Sequence, residues 1–185
     1  AYKLTGDEEY RQVVEELLAF VQREMTGEEG GFYSALDADS EGEEGSFYRW
    51  EKEQLEKELG AKQYRLFASA YGINKDPNFE HDYYVPLMSR TRAELAESNK
   101  LSRQQLEEQL LPSREKLFEL RAKRERPLTD DKILTSWNGL MIRGFADAGR
   151  LLEQPRYIES AEKAATFLLA KLSTPEGRLL RTYRG

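Results

Sequence analysis

The side chains able to do chemistry gather in two acidic segments. The first is SALDADSEGEEGSFYRW (Ser34–Trp50), where Asp37, Asp39 and Glu41 fall at every second position and Gly42 follows. Calcium loops begin this way, with oxygens at alternate positions, but they close on a bidentate Glu at the twelfth. Counted from Asp37, the twelfth residue is Tyr48, so the closing ligand is missing and no metal site is expected. Acid–base chemistry or hydroxyl binding remains. Alternation along a strand puts Asp37 and Asp39 on one face. From there they either face a cavity as acid and base or cap a neighbouring helix N-terminus. Glu41–Glu44 reads as a solvated turn.

The second segment is LTDDKILTSWNGLM (Leu128–Met141). Asp130 and Asp131 precede a helix start, where the dipole and free N–H groups favour carboxylates. Trp137 and Asn138 fall in the first turn of that helix. A Trp ring stacks on the apolar face of a sugar while carboxylates and amides fix its hydroxyls. Glycoside hydrolysis needs two carboxylates across the scissile bond, and Asp130 or Asp131 with Asp37 or Asp39 are the candidates. The alternatives are capping for the aspartates and core packing for Trp137, whose stripe continues through Leu140, Met141 and Phe145. His81 is the single histidine, so proton transfer by a His pair would need residues outside this sequence. His81 itself reads as a loop residue.

Helices must position these groups. Tyr10, Val13, Val14, Leu17, Leu18, Val21 and Met25 form an apolar stripe, with Thr5 or Asp7 to cap it and Gly27 to end it. Gly30–Trp50 reads as a β-hairpin, two aromatic segments flanking the polar SEGEEG. Short helices follow over Glu51–Leu59 and Ala61–Tyr71, ended by Gly60 and Gly72. Asn74–Arg90, with Pro77 and Pro86, reads as irregular. Ser102 and Gln105 make a capping box for a polar helix running to about Arg124, and Pro112 predicts a kink or break near Leu111. RERPLTDDK reads as a loop. Thr135 or Ser136 opens a helix through Leu152, and Tyr157–Leu172 is the last helix, before a Pro-Glu-Gly turn and the extended RLLRTYR.

An internal repeat links the two ends. Tyr10, Phe20, Glu29 and Gly30 recur 147 positions later as Tyr157, Phe167, Glu176 and Gly177. Each copy reads as a helix, a tight Glu-Gly turn and an extended apolar stretch. Such a unit cannot bury its face alone, so stacking is implied. The second copy has a partner helix before it, Ser136–Leu152, and the first has none, as if the chain were taken from a larger helical array.

Composition narrows the functions. Charged residues are 34% of 185 and the net charge is −6, which argues against nucleic acid as a partner. No apolar run is long enough to span a membrane and no apolar signal-peptide core opens the chain, so a cytoplasmic location is expected. With no Cys there is no disulfide, thiolate metal site or thiol redox chemistry in this chain. No cofactor is implied.

GGFYSALDADSEGEEGSFYRW and DDKILTSWNGLMIRGFADAGRLL closely resemble the thioredoxin-domain-containing family that includes spermatogenesis-associated proteins. The resemblance covers nearly the whole chain and implies an all-α fold. That fold would be helical hairpins of a partial (α/α) toroid, similar to N-acylglucosamine 2-epimerases and six-hairpin glycosidases, with a small β-hairpin at its rim. Residues 1–185 would form one partial toroid domain, and a thioredoxin-like domain of the full-length protein would lie before Ala1. A cavity of that kind implies a carbohydrate ligand, with Tyr33 of the first motif added to Trp137 and Asn138 as binding residues. Family members also carry a Gly-Asn-aromatic-Glu-Gly segment. Here it reads Pro77-Asn78-Phe79-Glu80-His81-Asp82, keeping Asn-Phe-Glu without the glycines, which adds Phe79 and Glu80 as binding candidates. The competing reading is a non-enzymatic scaffold that presents the thioredoxin-like domain. A partial toroid would also leave apolar faces exposed and prone to self-association.

Overall fold

The structure is a computed structural model and describes residues 1–80 and 82–184, so the reading of His81 lies outside the described residues. The helices are α1 (Tyr2–Thr5), α2 (Glu8–Glu24), α3 (Lys52–Tyr71), α4 (Arg92–Ser98), α5 (Arg103–Ala122), α6 (Thr135–Leu151) and α7 (Pro155–Lys171). The strands are β1 (Ala35–Leu36), β2 (Asp39–Ser40), β3 (Glu43–Glu44), β4 (Thr129–Asp130), β5 (Ile133–Leu134) and β6 (Thr182–Tyr183). The fold is mostly helical, and every strand pairs antiparallel with one partner. The chain divides into two compact units, Ala1–Asp37 with the residues from Thr129 onward, and Ala38–Leu128.

The first unit is built on α2, α6 and α7. Asp7 caps α2 through its carboxylate, which accepts from Glu9 N at 3.0 Å. Leu18 and Val21 of α2 meet Phe145 and Ala148 of α6 and Tyr157, Ala161 and Ala164 of α7 in one core. Phe32 stacks on Phe145 with ring centroids 5.2 Å apart. A second cluster joins Ile133 to Phe167, Leu168 and Leu172 beneath the β5–β6 ladder.

The repeat read from the sequence returns bond for bond in this unit. Gly30 N donates to Gly27 O at 2.9 Å, and Gly177 N to Thr174 O at 2.9 Å. Tyr33 N donates to Met25 O at 2.8 Å, and Leu180 N to Leu172 O at 2.7 Å. The bridges Thr26↔Phe32 and Ser173↔Leu179 match in the same way. Both turns need a positive φ, 101° at Gly30 and 80° at Gly177, a region glycine enters without strain. The equivalence reaches back into the preceding helix. Gly6 (φ 66°) occupies the place of Glu153 (φ 55°), so α1 stands before α2 as the last turn of α6 stands before α7. The copies differ in burial. Tyr157 and Ala164 are fully buried, whereas their counterparts Tyr10 and Leu17 are 44% and 56% exposed.

The second unit packs α3, α4 and α5. Gly60 (φ 70°, ψ 161°) interrupts α3 where one helix was expected to end and the next begin. Leu55, Leu59, Phe67 and Leu117 form one core with Trp50, Ile73 and Tyr84, while Leu95, Leu106 and Leu110 form another. Capping boxes open both α4 (Thr91 with Glu94) and α5 (Ser102 with Gln105). Of the kink or break expected near Leu111, the break does not occur, and α5 runs as one helix through Pro112. Leu106, Leu110, Ser113 and Leu117 hold its buried side, while Glu108 and Pro112 are exposed, so water can take the carbonyl the proline leaves unpaired.

The acidic hairpin is smaller than expected. Only Asp39–Ser40 and Glu43–Glu44 pair, around Glu41 (φ 55°) and Gly42 (φ 79°). Two successive positive φ values make the tight hairpin turn that matches strand twist. SFYRW does not return along the first strand. Ala35 and Leu36 pair instead with Asp130 and Thr129, inside the segment read as loop.

Candidate functional site

Asn138 lies in the first turn of α6 and is 1% exposed. Its Oδ1 accepts from Phe32 N at 2.8 Å, and its Nδ2 donates to Phe32 O at 2.9 Å and to Leu134 O at 3.1 Å. The carboxamide thus closes onto the turn after α2 and fixes the floor on which Tyr33 stands. Tyr33 lies over Gly27, where a Cβ would fall 3.0 Å from the phenol oxygen. Gly31 is as tightly enclosed, since a Cβ there would meet Ile133 Cδ1 at 2.5 Å. Gly31 thus lets the turn sit against side chains of β5 and α7, and Gly27 leaves room for the Tyr33 ring.

A cleft of about 250 Å³ opens at this turn. Its walls include Tyr33, Phe167 and Tyr183, with Glu28, Glu29 and Asp131 as the charged groups. Phe167 and Tyr183 meet edge to face with centroids 5.4 Å apart. Asp131 accepts from Arg184 Nε at 3.0 Å, and Glu29 pairs with Lys171 Nζ at 3.0 Å. The Glu29 carboxylate holds the Lys171 ammonium above its ordinary pKa. Each carboxylate is therefore held against one cation in a cleft walled by aromatic rings, an arrangement suited to hydroxyl donors on a partly apolar ligand.

Of the residues singled out from the sequence, Tyr33 and Asp131 line this cleft together. Asp130 lies on β4, where it accepts from Lys132 N at 3.3 Å and pairs with Lys132 Nζ at 3.0 Å. Those Lys132 contacts hold its carboxyl below the usual carboxylate range. Asp37 is exposed and lies outside any strand, so alternation does not align it with Asp39. Trp137 is 56% exposed, and Leu140 beside it 71%, so the core begins deeper, at Phe145. Asp39, Phe79 and Glu80 belong to the second unit. Asp39 faces Glu44 across the small hairpin. Phe79 covers Gly45, where a Cβ would fall 2.6 Å from the ring, and it lines a separate cavity with Tyr48, Val85 and Pro86. Glu80 pairs with Arg49 at 2.9 Å, and that guanidinium lies 4.0 Å over the Tyr83 ring. Asn78, which opens the Asn-Phe-Glu stretch, bridges Val85 as Asn138 bridges Phe32, with both bonds at 2.9 Å.

Sequence reasoning missed Glu28, Glu29 and Tyr183. The repeat held a signal for them, because it marks the two Glu-Gly turns and the extended stretches after them as equivalent corners. Among the described residues no three His, Asp or Glu side chains gather into a metal-holding group, and no helix is long and apolar enough to cross a membrane.

No family model matches the chain. It is 36% identical over 207 aligned residues to spermatogenesis-associated protein 20 of Homo sapiens, and 35% identical to the Mus musculus protein of that name. Each alignment covers 98% of this chain and 26% of the relative. These relatives support a place in the spermatogenesis-associated protein 20 family. An uncharacterized Caenorhabditis elegans protein is 28% identical over 93% of the chain. The chain thus spans about a quarter of the length of the curated relatives it matches.

Proposed function

We propose that this chain is part of a helical (α/α) toroid whose cleft at Tyr33 and Asp131 binds carbohydrate. The observation that carries this reading is that one cleft combines Tyr33, Phe167 and Tyr183 with the ion-paired carboxylates Asp131 and Glu29. Aromatic faces take the apolar side of a sugar ring and fixed carboxylates take its hydroxyls. Binding is favoured over catalysis within this chain. Asp131 and Glu29 each already accept from a cation, Arg184 and Lys171, which suits a role as fixed hydroxyl acceptors. Any glycosidase-like or epimerase-like turnover would belong to the longer protein.

A second reading has its own support. Asn138 gives its whole carboxamide to Phe32 and Leu134, and Asp130 is bound up with Lys132, as expected of a scaffold. Such a scaffold would support a thioredoxin-like domain of the same protein.

The test is saturation-transfer NMR of a mono- and oligosaccharide panel with the chain and with its Tyr33→Ala, Asp131→Asn and Trp137→Ala variants. Carbohydrate binding at the cleft predicts signal that is lost in the first two variants and kept in the third. Silence across the panel would sink the carbohydrate reading and leave the scaffold.

A further inference from the structure

The second unit carries a cleft of its own, distinct in chemistry from the one at Tyr33. It measures about 270 Å³, just below the roughly 300–1,000 Å³ of small-molecule sites. Its walls are aromatic, with Tyr48 following the small hairpin, Phe67 and Tyr71 on α3 and Phe118 on α5. Among the described residues, the charged groups lining it are Arg114 and Arg121.

The positions of those arginines follow from helix geometry. Arg114, Leu117, Phe118 and Arg121 are spaced by three and four residues, so they share one face of α5. Read as sequence, this segment is a mixed-charge solvated face. Packing on α3 gives it a different character. Leu117 is buried against Phe67 and Trp50, which brings the flanking arginines to the edge of an aromatic wall. The Arg121 guanidinium carbon stands 5.2 Å from the Tyr48 ring centroid and 5.4 Å from that of Phe118. Arg114 Nη2 also meets Glu107, which does not line the cleft, at 2.5 Å. In a chain of net charge −6, the charged groups among the described residues lining this aromatic hollow are both cations.

We infer that this cleft binds a small aromatic carboxylate, its ring between Tyr48, Tyr71 and Phe118 and its carboxylate on Arg121. Aromatic walls favour a flat apolar body over an aliphatic chain because offset and edge-on ring contacts add to area burial. A guanidinium set over rings is partly desolvated, and its hydrogen bonds to a carboxylate are about twice as strong as neutral ones. The inference does not depend on the carbohydrate reading, since the two clefts share no residue.

The probes are 2-naphthoate and its neutral counterpart 2-naphthamide, titrated into the chain and followed by amide chemical shifts. The carboxylate is expected to bind at least tenfold more tightly than the amide and to shift resonances around Tyr48, Tyr71 and Phe118. Arg121→Gln should remove the preference for the charge. Phe118→Ala, at a position 41% exposed, should weaken both probes alike without unfolding the chain. Equal affinities for the two probes, no binding of either, or a preference that survives Arg121→Gln in a folded variant would each overturn the inference.

Discussion

The side chain of Asn138 grips both backbone polar groups of Phe32, 106 positions away in the sequence, accepting from its N–H at 2.8 Å and donating to its carbonyl at 2.9 Å. The pair is buried, so water cannot replace a lost bond. Each buried group left unpaired costs about 1–3 kcal/mol. Asn138→Ala strands two such groups on Phe32 and is expected to lower stability by about 2–5 kcal/mol in urea unfolding. Asn138→Asp keeps the shape but puts a carboxylate against the Phe32 carbonyl, and should recover little. A loss below about 0.5 kcal/mol would mean the grip is not formed.

Glu107 joins α4 to α5, pairing with Arg92 Nε at 3.0 Å and with Arg114. Burial pushes its carboxyl up, but the two guanidiniums outweigh burial and hold it below its ordinary 4.5. A depressed carboxylate contributes stability above its unfolded pKa and loses it as pH falls through the folded one. The second unit should therefore be stable at neutral pH and weaken as pH drops below about 4.5. Glu107→Gln should flatten that limb of the stability–pH curve. It should also destabilise at pH 7 by about 1–3 kcal/mol, because Arg92 is only 7% exposed and loses its carboxylate.

Ser113 is 1% exposed on α5, and its hydroxyl has no hydrogen-bond partner among the described residues. A buried hydroxyl without a partner opposes folding. Ser113→Ala removes it with little change in volume and raises helix propensity. The expected gain is about 1 kcal/mol, read as a rise in Tm of roughly 2–4 °C. An unchanged or lower Tm would mean the hydroxyl is satisfied in solution.

Tyr10, Val13 and Leu17 leave an apolar stripe on the outer side of α2, where the equivalent face of α7 is covered by α6. Such a stripe favours self-association in isolation. Leu17→Lys should move the chain toward monomer in light scattering while changing stability by less than about 0.5 kcal/mol. A monomeric parent, or a variant that associates equally, would count against the stripe as the contact.

How much was legible in the sequence depends on which interactions decide each element. Helices α2, α6 and α7 and the opening of α5 were readable because apolar spacing and caps act within a few residues. Helix α4 was overlooked, although Thr91 and Glu94 spell the same kind of capping box as Ser102 and Gln105. The partner of Ala35 and Leu36 was not readable, because ladder pairing is set by tertiary approach and both segments are too short to show a strand pattern. The role of Asn138 was hidden for a chemical reason: a carboxamide offers the same donor and acceptor to a sugar as to a peptide group. Trp137 and Phe145 share a stripe in one dimension, but only Phe145 reaches the depth of the core. The cleft at Tyr33 was half legible, through Tyr33 and Asp131. Its other wall comes from α7 and β6, which the motifs did not mark.

The pairing of Ala35 with Asp130 and of Leu36 with Thr129 sets the chain's departure into Ala38–Leu128 beside its return. To the first unit, that whole excursion is one oversized hairpin loop. Loop length adds only slowly to closure entropy, and grafts succeed where two ends already lie side by side. The ladder therefore acts as a socket. A different cassette, or a two-residue turn, could be plugged in between Leu36 and Thr129 while the Asn138–Phe32 clamp stays shut, leaving evolution or an engineer free to exchange what hangs there.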